Sequence, residues 1–455
     1  MLSFLLALPG GFTEAAKAET SAKLKLPPIN SLKMKNGLRV IHIHDEIPQV
    51  VFVASIGYGR LYENRDTAGA GLLIARMLNL GGSEKFPGGK LHEALEDIGA
   101  RLSVSAEWEQ LTISVQVLQR YHERALEILS DLVLHPRFST EHYEMAQAMV
   151  KEELRRRYDE PSQLAFDRVR SLVFMGKSYG STPTAEGTGR IKLPALKKIW
   201  DSHVRAANTV LGVTSPLQKE DIFKKITLRF GSMRRGKRME YFSDVPGVRK
   251  NVEEKRNRIY FIEKNIPQAT IVLGTLAPVA KSDERYSLEI MNRILGGGSF
   301  NSRLVKDIRV KRGLAYTVQS IYRGRKNAGL FLVFTQVKTD KVPLVLGIID
   351  DHLKKISTEK VTEKEADWIK KYIKNSYIFK FDTPLNVLSA LIGLQYYELP
   401  LSYTEEYTGK IEQVSREEIQ KNTARLLRSG YIRVIVGDKK LAEELKKKNE
   451  VVRIQ

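Results

Sequence analysis

The histidines are the side chains best suited to chemistry, because an imidazole can bind a metal or transfer a proton near neutral pH. None of the eight forms H-x-x-E-H or H-E-x-x-H, the helical spacings that place two imidazoles on one face to bind zinc. His92 comes closest, but the residue four positions later is Glu96. His42 and His44 would share one face of a strand, yet no third ligand is evident. The chain has no cysteine, which excludes thiolate zinc sites and cysteine nucleophiles.

The composition is that of an ordinary globular protein of two to four domains. Of the 455 residues, 42% are hydrophobic and 28% are charged, and neither glycine nor proline is periodic. Collagen-like, coiled-coil and disordered classes are therefore excluded. The net charge of +21 is spread along the chain and favours acidic partners. No stacking-aromatic signature or compact basic helix accompanies that charge, so nucleic-acid binding is not predicted.

The N-terminal residues 1–20 resemble a signal peptide or a disordered terminus. The apolar run at positions 1–12 (MLSFLLALPGGF) is too short to span a bilayer and is followed by the small residues of Ala16-Lys17-Ala18. A basic segment before the run is missing. We expect a periplasmic or otherwise exported protein, or a cytoplasmic one if this segment is not a signal. No other segment has the pattern of a transmembrane helix.

An internal repeat organises the rest of the sequence. Residues 45–49 (DEIPQ) are echoed by residues 264–268 (KNIPQ), and strand-like apolar runs lie on both sides of each. The two runs of each pair are predicted to be adjacent strands. Each pair is followed by a predicted helix, at 68–80 and 286–295, that ends in glycines.

Both halves continue with another strand and two more predicted helices. The last of these cover residues 141–157 and 363–377, and Thr362 with Glu365 forms a capping box for the second. The mixed-charge segment 234–255 contains Pro246-Gly247 and is predicted to be a linker. The sequence therefore predicts two tandem, homologous α+β domains at 21–233 and 256–455. Each would be a mixed β-sheet covered by helices on one face.

Two segments resemble the pitrilysin/insulinase family of zinc peptidases, which includes mitochondrial processing peptidases. They are residues 57–87 (GYGRLYENRDTAGAGLLIARMLNLGGSEKFP) and 295–320 (LGGGSFNSRLVKDIRVKRGLAYTVQS). The resemblance implies a fold that forms half of a clamshell. Active members bind zinc through the two histidines of H-x-x-E-H and use its glutamate as the general base.

The zinc motif is erased in this sequence. The positions that match the two histidines and the glutamate hold Leu72, Ala75 and Arg76, which can neither donate a lone pair to zinc nor accept a proton. Glu152 and Glu153 both fall near the family's third-ligand position. The spacing of Met145, Met149 and Glu152 would turn Glu152 inward, where it could pair with Arg76; a solvent-facing helix is the alternative.

The second-half signature keeps an arginine and a tyrosine seven residues apart, Arg309 and Tyr316. The resemblance implies that they hydrogen-bond the scissile carbonyl of a peptide at a zinc site and stabilise its transition state. Alternatively, Arg309 pairs with Asp307 and Tyr316 only begins a strand, and Arg312 is a neighbouring candidate for the arginine. The loop Gly296-Gly297-Gly298 is a helix cap or a substrate-handling loop.

These features predict a non-catalytic subunit of a two-chain zinc endopeptidase. This chain would hold no cofactor of its own and would supply Arg309 and Tyr316 in trans. A homologous partner with H-x-x-E-H would hold the zinc, and the substrate would be an extended peptide. The alternative is a structural or assembly protein with the same fold and no role in proteolysis.

Overall fold

The computed structural model describes residues 26–176, 178–240, 245–298 and 300–454. The predicted signal segment 1–20 lies outside these residues. Within them, no helix is both long enough and apolar enough to cross a membrane.

The first half builds a mixed six-stranded sheet with the order β1-β2-β6-β3-β5-β4. The prediction that β2 and β3 are neighbours is wrong, because β6 from the end of the half lies between them, parallel to β2 and antiparallel to β3. The short connection between β2 and β3 therefore skips one strand position. The strands are β1 Ile29–Lys33, β2 Arg39–His44, β3 Gln49–Ile56, β4 Arg101–Ala106, β5 Leu111–Leu118 and β6 Thr209–Ser215.

The second half has the order β12-β7-β11-β8-β10-β9 and repeats the topology of the first half in five of the six strands. The outer strand differs, because β12 follows the others in sequence and is parallel to β7, whereas β1 precedes β2 and is antiparallel to it. Here β11 separates β7 from β8 in the same way, so the prediction of two homologous α+β domains with mixed sheets is confirmed. The strands are β7 Arg258–Glu263, β8 Gln268–Ala277, β9 Ala315–Arg323, β10 Gly329–Lys338, β11 Ile432–Gly437 and β12 Glu450–Arg453.

Helices on one face of each sheet bury its main core. The predicted capping box of α12 is present, with Thr362 and Glu365 exchanging side-chain and backbone hydrogen bonds. The helices of the first half are α1 Ala70–Gly81, α2 Gly89–Glu96, α3 His122–Leu134, α4 Thr140–Asp159, α5 Pro161–Val173, α6 Ala185–Arg190, α7 Leu193–His203 and α8 Lys219–Phe230. Those that follow are α9 Val245–Lys255, α10 Glu284–Leu295, α11 Val342–Thr358, α12 Glu363–Tyr377, α13 Pro384–Tyr397, α14 Ser402–Glu405, α15 Tyr407–Gln413, α16 Arg416–Leu427 and α17 Lys439–Lys446.

The second face of each sheet is covered by a helix from the other half, which corrects the expectation of one covered face. Helix α5 lays Leu164, Val169 and Val173 on the second sheet. In return, α13 lays an apolar face that includes Leu388 and Ile392 on the first sheet. We call this arrangement the helix exchange.

Glycines in the sheets let the exchanged helices approach closely. A β-carbon at Gly274 of β8 would lie 2.2 Å from Val169 Cγ1 of α5, and one at Gly212 of β6 would lie 2.8 Å from Leu388 Cδ1 of α13. Atoms cannot approach this closely, so any larger residue would push the helix away from the sheet.

The predicted linker is partly helical. Helix α9 occupies its second part, and Val252 is buried in the same apolar cluster as the inner face of α5. The Asn251 amide donates a hydrogen bond of 3.0 Å to the carbonyl of Val173 at the end of α5. This end of the segment is therefore packed onto the exchanged helix.

We expect Gly274→Ala to weaken the helix exchange, because its methyl group would overlap Val169. Overpacking of this kind costs about 1–3 kcal/mol of unfolding free energy, measurable by urea denaturation. Gly347→Ala is the matched control, since a β-carbon there meets nothing within 4 Å and lies inside helix α11, where alanine is favoured by about 0.5–1 kcal/mol. Equal stability of the Gly274 variant and the wild type would contradict this role of the glycine.

Candidate functional site

Helix α1 carries the three erased zinc positions. Its N-terminus is held by buried Glu63, whose carboxylate accepts hydrogen bonds of 2.9 and 2.8 Å from the N–H groups of Gly69 and Gly71. Burial nevertheless raises the pKa of Glu63. The residue after Gly71, Leu72, borders a cavity between the two halves. The helix is thus well ordered by its contacts at the point where the family's metal ligands would stand.

Arg76 pairs with Glu153, so the prediction that Glu152 faces inward is wrong. The distance from Arg76 Nη2 to Glu153 Oε2 is 2.8 Å, whereas Glu152 binds Arg156 at 2.9 Å on the outside of α4. The inward face of α4 is formed by Ala146, Val150 and Leu154, and the two methionines used for the prediction are exposed. Glu153 lies seven residues after Ala146, at the edge of that face, where its side chain is 47% exposed and reaches Arg76 of α1.

The residues present at this position do not fit a zinc ion. Leu72 and Ala75 offer no ligand atom, and the guanidinium of Arg76 occupies the remaining carboxylate. The described residues contain no group of three histidine, aspartate or glutamate side chains that could hold a metal. His42 is buried and its Nε2 lies 3.0 Å from Ser215 Oγ, while His92 is exposed and contacts the carbonyl of Asn79.

Arg309 and Tyr316 lie together in the second half. Arg309 sits on a π-helical turn, Val305–Lys311, and Tyr316 is the second residue of β9. The guanidinium carbon of Arg309 lies 4.7 Å from the centre of the Tyr316 ring and 4.9 Å from that of Phe300. Within the described residues Arg309 makes no ion pair, and Tyr316 is 82% exposed.

The alternative pairing of Arg309 with Asp307 is wrong. Asp307 binds Arg312 Nε at 2.9 Å and His352 Nε2 at 2.9 Å. The hydrogen bond from Arg312 lowers the pKa of Asp307. Arg312 is therefore occupied by a carboxylate, and Arg309 keeps its charge available for a ligand.

The glycine loop lines the same cleft as Arg309. Gly296 ends helix α10, and the N–H groups of Gly296 and Gly297 both donate to the carbonyl of Asn292, at 3.0 and 2.7 Å. A β-carbon at Gly296 would lie 2.7 Å from the backbone nitrogen of Ser320 on β9. Because Gly296, Gly297 and Gly298 have no side chains, a cleft of about 490 Å³ remains open beside β9. The helix-cap prediction is confirmed, and substrate handling stays a prediction.

Comparison with known proteins places these features in one family. The description "Insulinase (Peptidase family M16)" matches residues 39–185, and "Peptidase M16 inactive domain" matches residues 190–373. The chain belongs to the M16 peptidase family. The resemblance to this family is confirmed, and the second match carries the Arg309 and Tyr316 segment.

Similar M16 proteins include some that are named zinc proteases and one that is named a non-peptidase homologue. An "Uncharacterized zinc protease" of Rickettsia felis is 25% identical over 74% of this chain and 80% of its own length. A "Non-peptidase homolog YmxG" of Helicobacter pylori is 25% identical over 81% and 84%. The structure of a peptidase M16 inactive domain from Pseudomonas fluorescens superposes with a TM-score of 0.81 at 20% identity, covering 90% of this chain and 98% of that one. With its erased motif, this chain is a non-catalytic M16-like protein.

A second feature of this M16 chain was not predicted. The cavity that Leu72 borders has a volume of about 540 Å³ and is rich in arginine, with Trp108 at its centre. Its arginines lie far apart in the sequence and are brought together by the helix exchange. In the sequence, the only indication of this cavity is the excess of positive charge over the whole chain.

We expect the triple substitution Leu72→His, Ala75→Glu and Arg76→His to restore zinc binding, with Glu153 as the third protein ligand. An imidazole is shorter than an arginine side chain, which leaves room for a metal bound at about 2 Å. After dialysis against a weak chelator, atomic absorption should find one zinc per restored chain and none in the wild type. Adding Glu153→Gln should lower the zinc affinity at least about tenfold, whereas Glu152→Gln should not. A larger loss of zinc affinity from Glu152→Gln than from Glu153→Gln would contradict the placement of Glu153.

We expect the ion pair that holds the Arg309 segment, between Arg303 and Glu365, to depend on pH. Arg303, just before the π-helical turn, binds Glu365 at 2.8 and 2.9 Å and lowers the pKa of that carboxyl to about 2. The stabilisation is therefore present above the ordinary glutamate pKa of 4.5 and is lost as the pH falls towards 2. Glu365→Gln should reduce the unfolding free energy by about 1–2 kcal/mol at pH 7. The difference should shrink in acid. Glu363→Gln is the control, because Glu363 lies two residues earlier in the same helix and makes no ion pair within the described residues. Equal effects of the two substitutions would contradict the role of the pair between Arg303 and Glu365.

Proposed function

We propose that this chain is the non-catalytic subunit of a two-chain zinc endopeptidase. The observation that carries the proposal is the stack of Arg309 on exposed Tyr316. Arg309 also lines a cleft and has no carboxylate partner among the described residues. The zinc positions of the same chain are erased, so this pair can act only at another chain's metal. We propose a homologous M16 chain with H-x-x-E-H as that partner. It would supply the zinc, the general base and the other half of a clamshell.

Arg309 and Tyr316 are suited to bind a developing oxyanion. A guanidinium and a phenol both donate hydrogen bonds, and neither accepts a proton from the substrate at neutral pH. Such donors are worth most where water is excluded. Tyr316 is 82% exposed, so the pair would be effective only when a partner or a substrate covers it.

The surroundings of the pair favour coverage by another protein. Phe300 and Val310 are 64% and 58% exposed beside Arg309 and Tyr316. Apolar and aromatic side chains ringed by charge are typical of protein interfaces. We propose this patch as part of the contact with the zinc-binding subunit.

The substrate would be an extended peptide lying along β9. This strand is at the edge of the second sheet and pairs only with β10 among the described strands. Its outer backbone groups can therefore bind a peptide as an added strand, beside the loop of Gly296, Gly297 and Gly298. We also propose that the protein is exported, on the apolar segment at the N-terminus.

The test is peptidase activity on a quenched peptide library with this chain alone, the H-x-x-E-H homologue alone, and both mixed. We expect cleavage only in the mixture. In the mixture, Arg309→Ala and Tyr316→Phe should each lower kcat, by about 10²-fold for the arginine, without preventing association. Arg312→Ala is the matched control, because that arginine lies three residues away and binds Asp307.

Two results would overturn the proposal. The first is a homologue that is fully active without this chain. The second is a mixture in which both variants cleave as fast as the wild type. Either result would favour a structural or assembly role on the same fold.

A further inference from the structure

The arginine-rich cavity lies between the two halves of the chain. The first half contributes helix α5 and the loop around Trp108, and the second half contributes the ends of β9 and β10. Its guanidinium groups belong to Arg60, Arg157, Arg170, Arg323 and Arg325. We call it the arginine cavity.

Three of these guanidiniums surround one indole ring. The guanidinium carbons of Arg60, Arg170 and Arg325 lie 4.6, 4.3 and 4.8 Å from the centre of the Trp108 ring. Burial lowers the pKa of all three, to about 10 for Arg170. Like charges this close repel one another, so the cavity holds cations at a cost in stability.

The nearby carboxylates do not balance these charges. Asp167 is shared by Arg157 and Arg170, and Glu109 accepts hydrogen bonds of 2.5 Å from the hydroxyls of Tyr179 and Tyr397. Glu107 on the wall and buried Glu63 both attract Arg60, so four carboxylates stand against five guanidiniums. An excess of positive charge remains.

Some of the buried donors also lack a partner. Arg60 Nη1 and Arg157 Nε are shielded from solvent and make no hydrogen bond with the described residues. Arg325 forms no ion pair with them. Unsatisfied buried donors are costly, and a ligand that accepts their hydrogen bonds relieves that cost.

We propose that the arginine cavity binds a carboxylate of a peptide. The carboxylate can be an acidic side chain or the C-terminal group, since both offer two oxygens to a guanidinium fork. This inference deepens the proposed function and rests on it, because it names acidic peptides as the substrate class.

The walls of the cavity also select what lies next to the carboxylate. Phe166, Phe174 and Leu332 supply apolar surface, and Leu72 stands where a metal ligand would make the wall polar. An aliphatic or aromatic residue beside the carboxylate would fill this surface.

The arginine cavity and the Arg309 cleft are neighbours along strand β9. Ile321 and Arg323 of β9 border both spaces. From Tyr316 to Arg323 the strand spans about 23 Å at the usual rise of about 3.3 Å per residue. A peptide added along β9 would therefore place its carboxylate about seven residues from the bond held by Arg309 and Tyr316.

The test is binding of fluorescein-labelled twelve-residue peptides to the full chain, followed by anisotropy. Four peptides share one apolar framework: one with Asp and Glu near an end and an amidated C-terminus, one with Asn and Gln, one with Asn and Gln and a free C-terminal carboxylate, and one with Lys. We expect the acidic peptide to bind about tenfold more tightly than the neutral amide. The free-carboxylate peptide shows whether the C-terminal group alone suffices.

Arg325→Gln and Arg60→Gln should remove this preference, and Arg325→Lys should keep part of it. Arg120→Gln is the matched control, because Arg120 also stacks on an aromatic ring, that of Tyr121, but lies beyond the opposite end of β5. Urea denaturation of each variant separates lost binding from lost folding, and only variants with wild-type stability are scored. If the variants at Arg325 and Arg60 both lose stability, Arg323→Gln is scored in their place, since Arg323 is exposed.

Equal binding of the acidic and neutral peptides would overturn the inference, as would full acidic preference in the arginine variants. Binding of inorganic phosphate or acetate as tightly as the peptide would also overturn it and make the cavity a small-anion site. The proposed function fails separately: it falls if Arg309→Ala and Tyr316→Phe leave the mixed peptidase unchanged while acidic peptides still bind. The inference alone falls if the mixture cleaves neutral peptides as well as acidic ones.

Discussion

The helix exchange is the constraint on which the rest of the structure depends. Helix α5 of the first half and α13 of the second each bury an apolar face on the other half's sheet, so separating the halves would expose both faces to water. The exchange also builds the arginine cavity. Val169 of α5 packs on β8, and the next residue, Arg170, stacks on Trp108 in the arginine cavity. The helix exchange therefore determines both the orientation of the two halves and the positive charge between them.

The elements of this fold could be predicted from the sequence, but their order in the sheets could not. The repeat of DEIPQ by KNIPQ and the apolar runs around them located β2, β3, β7 and β8 within about two residues. Strands that follow one another in the sequence are predicted to pair, whereas β6 and β11, which separate them, come from the far end of each half. A sequence signal for the exchange was present: β6 (TVLGVTS) and β8 (QATIVLGTLA) carry no charged side chain on either face, and strands covered on both faces are typically apolar along their whole length.

The parts of the candidate site that could be predicted are those whose residues lie close together in the sequence. Arg309 and Tyr316 are seven residues apart, and they lie together as one segment. The spacing of two methionines predicts the wrong inward face for α4, because the smaller Ala146 and Val150 are the residues buried there. The arginine cavity joins residues from Arg60 to Arg325, and no local pattern connects positions so far apart.

The central claim is that this chain completes another chain's zinc site and holds no zinc itself. Native mass spectrometry of the chain mixed with its H-x-x-E-H homologue tests this most directly, because the mass of a complex reports both subunit composition and bound metal. A one-to-one complex that carries a single zinc is the predicted result. A homodimer of this chain that ignores the homologue, or zinc bound to the chain alone, would contradict the account.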